Sequence, residues 1–341
     1  MNHMLTQPPA RETARRGRRR ARPSARLLAG LAAAAVAAGA GCYAITTIGA
    51  TGARPSAVHH PQAGRVGSRR APQQAVLAAK VLRAAAARIA QEGTIGEPSP
   101  GQWIYYRTVD YGYPGLADPA GVGTDEEWTT FDGTQTAYYQ DGAVVTHTSP
   151  VPAPGPGVKP WDAWNTDATP KTAYDVLASL PASPQALLAV IAAQAASQNG
   201  QNLAAGNPIA GLAPKTEAQR KFDYLTLILW NAAVGLGGPP AAEADAYRAL
   251  STLPGITVEQ GIKDTAGRPA IGVSDDGGYD QLLIDPVSYH VIGLRQLSTG
   301  IGPKTVSEAK RQHGPAYPAK GTVIEEIIYA QTTAVPAPGD R

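Results

Sequence analysis

Leu77, Val81, Leu82, Ala85 and Ile89 recur at helical spacing, and this apolar stripe predicts a helix from about Gln73 to Gln91. The period then changes. Gln102 to Asp110 is rich in aromatic and β-branched residues, and Glu127 to Phe131, Gln135 to Gln140 and Ala143 to Thr148 follow it. Asp132-Gly133 and Asp141-Gly142 separate these β-prone runs, which is the residue pairing that tight hairpin turns demand. A proline-rich loop spans Pro150 to Pro160.

Helical spacing returns after that loop, over Thr172 to Leu180 and from Ser183-Pro184 to about Ser197. Thr216 to Val234 carries Phe222, Leu225, Leu229 and Ala232 on one face, and Ala241 to Leu253 ends at Pro254-Gly255. Five β-prone runs close the chain: Thr257 to Asp264, Arg268 to Ser274, Gln281 to Ile284, Tyr289 to Gln296 and Gly321 to Gln331. The order helix, strands, helices, strands predicts an α+β domain over residues 73–331. Its expected form is a curved, half-barrel-like antiparallel sheet with helices packed on one face. Residues 332–341, rich in Pro and Gly, are expected to be disordered.

The N-terminus changes the picture from a domain to a tethered domain. Leu27 to Ala53 contains no charged side chain, and about twenty such residues suffice for a helix to cross a bilayer. Eight arginines and a single acid, Glu12, precede it, which predicts that residues 1–26 stay in the cytoplasm. A transmembrane helix over 27–53, a linker over 54–72 and an extracytoplasmic domain follow from this reading. Cys42 after Gly39-Ala40-Gly41 leaves a lipidated anchor open, and Val36, Ala38 and Ala40 leave a cleaved signal open. Tyr224 to Ala242 is also uncharged, but Gly235, Gly237, Gly238, Pro239 and Pro240 break it down to a core-helix length.

The net charge of +3 comes from the basic tail, and the rest of the chain holds 22 Lys and Arg against 26 Asp and Glu. A mildly acidic exported domain has no basic field for nucleic acid, so the expected partner of the arginines is the membrane surface. Cys42 is the single cysteine, so no intramolecular disulfide supports the fold.

Candidate chemistry is sparse. Glu126-Glu127 and Glu325-Glu326 lie in β-prone runs, where neighbours point to opposite faces, and read as solvated or edge charges. Asp275-Asp276-Gly277-Gly278 reads as a hairpin loop, and His290 as a packed or edge histidine. No metal-ligand spacing, nucleophile elbow or phosphate loop occurs, so no catalytic, cofactor-binding or metal-binding residue is assigned. The aromatic residues are almost all Trp and Tyr. Trp103, Tyr105 and Trp128 are the candidate ligand-binding residues, as the lining of an apolar cavity between sheet and helices.

Several short motifs keep a recognisable order. They are Gly101-Gln102-Trp103-Ile104-Tyr105, Glu127-Trp128, Leu180-Pro181-Ala182-Ser183-Pro184, Tyr247-Arg248-Ala249-Leu250, Leu253-Pro254-Gly255 and Leu283-Ile284-Asp285-Pro286. On these the chain resembles an actinobacterial family of single-pass, membrane-anchored proteins of unknown function, often encoded beside sigma-factor genes. Some members look like the lipoprotein-carrier half barrel. The resemblance implies an apolar cavity and brings no catalytic residues. The function expected is a membrane-tethered binding or regulatory module for a lipid or acylated ligand, or for an envelope protein partner. An envelope hydrolase with a site outside known motifs and a structural envelope protein are the alternatives.

Overall fold

The computed structural model describes residues 71–93, 96–113, 121–140, 142–148, 169–204, 215–234, 239–298 and 318–341. The expected tail and transmembrane helix, Cys42, the proline-rich loop and almost all of the linker lie outside these residues. No described helix is long and apolar enough to cross a membrane.

The described chain is an α+β fold built on one open, nine-stranded antiparallel sheet of order β4-β3-β2-β1-β9-β8-β7-β6-β5. Strands β1 (Trp103–Gly112), β2 (Gly121–Thr130), β3 (Gln135–Gln140) and β4 (Ala143–Thr148) form one meander. Strands β5 (Thr257–Lys263), β6 (Pro269–Ser274), β7 (Asp280–Ile284), β8 (Val291–Leu297) and β9 (Val323–Val335) form the other. The long last strand β9 joins the two halves by pairing with both β1 and β8. Five described helices accompany the sheet: α1 (Ala71–Ile89), α2 (Pro170–Ala178), α3 (Pro184–Ala204), α4 (Glu217–Val234) and α5 (Pro240–Leu250).

Local chemistry sets several boundaries. Thr169 caps α2 by accepting from the Thr172 amide, and Ser183 accepts from the Ala186 amide at the start of α3. Two turns between the early strands place Gly133 and Gly142 at positive φ, as the Asp-Gly pairs require.

The helices cover one sheet face. Leu82, Ala85 and Ile89 of α1, Leu187 and Ile191 of α3, Phe222, Leu225 and Leu229 of α4 and Tyr247 of α5 pack on Val258, Val273, Leu282, Ile284 and Ile327. Ile104, Tyr106 and Phe131 continue this face toward β1, where Phe131 meets Tyr174 of α2. α4 is thereby a buried core helix, as its broken apolar run predicts.

The opposite face is also partly buried. A bulge in β5 between Glu259 and Ile262 lets the β5–β6 hairpin fold over it. The hairpin tip reaches β9, where the Thr265 amide and hydroxyl both donate to Glu326 Oε1 at 2.6 and 2.9 Å. Beneath it Arg295 and Glu326 form a buried ion pair, and Arg295 also donates to the Lys263 carbonyl at 2.7 Å. Gly272 and Gly293 keep this layer thin. A Cβ on Gly272 would lie 2.5 Å from the Gln281 side chain, and one on Gly293 would lie 2.7 Å from the Ile327 carbonyl.

Glu326 was expected at an edge or in solvent, yet it has no exposed surface, because Arg295 stands directly opposite it on β8. The last ten residues were expected to be disordered, yet β9 runs on to Val335 and the tail folds back over the sheet.

Candidate functional site

The three sequence-predicted residues come together, but on the face away from the helices. Tyr105 and Trp128 are cross-strand partners with ring centroids 5.1 Å apart, and both are fully buried. Ala137 and Val335 complete a small separate core, with half-buried Trp103 and Val144 against it. The C-terminal tail closes it: Trp128 Nε1 donates to the Asp340 carbonyl at 2.7 Å, and Arg341 pairs with Glu126 at 2.8 Å. The Tyr105 hydroxyl donates to the other Glu126 oxygen at 2.6 Å. Burial first, and then this bond, push the Tyr105 hydroxyl up to about 12. These residues therefore lie on the side of the sheet opposite the expected cavity. Alternation decides it, since Ile104 and Tyr106 are the β1 residues that face the helices.

That helix-facing side of β1, β2 and β9 carries a second constellation, which sequence reasoning missed. Tyr106 stands opposite Glu127 of β2 and Thr332 of β9. Thr108 stands opposite Asp125 and Tyr329, and Asp110 opposite Ile327. A bulge between Arg107 and Thr108 brings Tyr329 and Thr332, three residues apart, onto the same side. Trp230 of α4 packs on the Tyr329 ring at 4.2 Å between centroids.

The electrostatics of this patch are one-sided. The Asp110 carboxyl is pushed up to about 7 by burial, by its hydrogen bond with Asp125 and by the charges of Asp125 and Glu325. Glu127 is pushed up to about 7 by burial and by Asp125. Burial, Tyr106, Asp110 and Glu127 together hold the Tyr329 hydroxyl far above its ordinary value. Tyr329 is 7% exposed, and neither its hydroxyl nor the buried Thr332 hydroxyl has a hydrogen-bond partner among the described residues. Two orphan hydroxyls beside raised carboxyls are a costly arrangement for folding alone.

Glu127, which the sequence suggests is a solvated or edge charge, is instead desolvated, and its nearness to Asp110 follows only from the β1–β2 register. Among the described residues no group of His, Cys, Asp and Glu is arranged to hold a metal ion. The Asp275-to-Gly278 segment is a hairpin turn, in which Asp275 accepts from the Gly278 amide at 2.9 Å. His290 sits between Glu92 at 2.9 Å and buried Glu243 at 3.3 Å, tying the end of α1 and α5 to the turn before β8. Its pKa is raised chiefly by the bond to Glu243.

No protein-family model matches the chain, and neither a curated protein nor a solved structure is significantly similar to it.

Proposed function

We propose that this chain is a membrane-tethered, extracytoplasmic binding module whose recognition site is the tyrosine–carboxylate patch on the helix-facing side of β1, β2 and β9. The observation that carries the reading is the buried Tyr329 hydroxyl, which lies near carboxyl groups and has no partner among the described residues. A site that keeps unsatisfied polar groups in its unliganded form gains those hydrogen bonds when a ligand arrives. Membrane attachment is read from the uncharged segment 27–53 behind eight arginines. The ligand reading accordingly moves from the Trp103, Tyr105 and Trp128 cluster, which is packed shut, to Tyr106, Asp110, Glu127 and Tyr329.

The test uses the full chain in its own membrane. A photo-crosslinking residue replacing Thr108, which neighbours Tyr329 across the strand pair, should give a mass-shifted adduct on illumination. The same residue replacing exposed Thr257 of β5 should give none. The absence of any adduct at position 108 would refute the assignment of the site.

A further inference from the structure

We infer that this patch recognises a primary ammonium group; the inference rests on the binding reading above and specifies its ligand. Among the described residues its charged groups are carboxyls. Asp110, Asp125 and Glu127 line β1 and β2, Glu325 follows on β9, and none of the influences acting on Asp110 comes from a cation. Lys215, just before α4, is already paired with Asp223 at 2.8 Å and with Asp280 at 3.5 Å.

The two orphan hydroxyls narrow the chemistry. A Tyr or Thr hydroxyl offers lone pairs as well as a proton, so Tyr329 and Thr332, which share the helix-facing side, can both serve as acceptors. An ammonium carries three N–H donors and a charge, and matches two hydroxyl oxygens and one carboxylate. A quaternary ammonium would leave both hydroxyls unpaired, and a neutral alcohol would leave the carboxylates uncompensated. Trp230, packed on the Tyr329 ring, supplies the apolar wall against which the methylene stem beside an amine packs. The amine comes either from a small diamine or from a lysine side chain of a partner protein.

Binding of a cation also sets a pH dependence. Asp110 is faced by Asp125 of β2 and Glu325 of β9, and Glu127 by Asp125 and, across the strands, by Tyr106 and Tyr138. These carboxyls must lose their protons to hold an ammonium, so affinity rises as pH passes upward through about 7.

The experiment is calorimetric titration of the full chain in detergent with 1,4-diaminobutane and with Nα-acetyl-lysine amide, against tetramethylammonium and butanol. Both primary amines, or one of them, should bind at pH 8 and bind several-fold more weakly at pH 6, while the controls give no heat. Saturation by diaminobutane alone assigns a free amine, and saturation by the lysine amide assigns a protein side chain. Tyr329→Phe should weaken binding by about tenfold, the loss of one hydrogen bond, and Asp110→Asn by more. No binding of either amine, or binding indifferent to both substitutions, overturns the inference. If neither amine binds but the crosslink at position 108 forms, the site stands and its ammonium chemistry falls. If both experiments are negative, both fall, and the orphan hydroxyls are filled by water alone.

Discussion

Single residues on this sheet are decided by which face they take. Glu126 and Glu127 are neighbours in sequence, yet Glu126 bonds Tyr105 and Arg341 on the far face while Glu127 lies near Tyr329 on the helix side. The sequence shows that such neighbours point apart, but it does not show what each meets, because that depends on register. Arg295 and Glu326 show the energetic side of this. Removing one member of a buried pair leaves an uncompensated charge, so Arg295→Ala should cost about 3–5 kcal/mol in chemical unfolding, whereas the exposed pair Lys221–Glu217 should be nearly silent. The raised carboxyls make stability pH-dependent. Asp110 and Glu127 hold protons in the folded chain that they release when unfolded, so their contribution is present at low pH and is lost as pH rises through about 7. His290, also raised, acts in the same direction. The unfolding midpoint should therefore fall between pH 5 and pH 8, and Asp110→Asn should flatten that fall. A midpoint that climbs over this range would contradict the assignment.

At the level of elements, periodicity and turn chemistry were legible and tertiary pairing was not. The helix expected over Thr216 to Val234 is α4, and its apolar face, Phe222, Leu225 and Leu229, is fully buried. Leu225→Ala should accordingly cost about 2–5 kcal/mol. The first half of β2, Gly121 to Glu126, escaped notice because glycine, threonine and acids give no strand signal, and it is held by pairing with β1. The end of β9 escaped for a related reason. Its Thr and Ala residues are held in strand by β1, and the Pro-Gly segment after Val335 finds its partner in Trp128. Deleting residues 336–341 removes that cover, so Trp128 fluorescence should shift to longer wavelength and the midpoint should drop. Unchanged emission would mean that the tail does not close the aromatic core.

At the scale of the whole molecule, the proposed anchor precedes a sheet with one face under the helices and the other partly closed by the β5–β6 hairpin and the C-terminal tail. A topology reporter placed after Arg341, where it leaves β9 intact, should be active only outside the cytoplasm; cytoplasmic activity would reverse the orientation read from the arginines. The element order, and hence the α+β class, was readable along the chain, whereas the proposed binding patch was not. It is assembled from Tyr106, Asp110, Glu127, Tyr329 and Thr332, which span more than two hundred positions and share no motif. What marks it is energetic: hydroxyls buried without partners among the described residues. If they are kept for a ligand, the unliganded protein is strained by them, and their removal relieves it. The most direct measurement is the unfolding free energy of the full chain carrying Tyr329→Phe and Thr332→Val. The double substitution should raise stability by about 1 kcal/mol or more, because two desolvated polar atoms disappear. A loss of similar size would show that both hydroxyls are already satisfied, and would contradict the site.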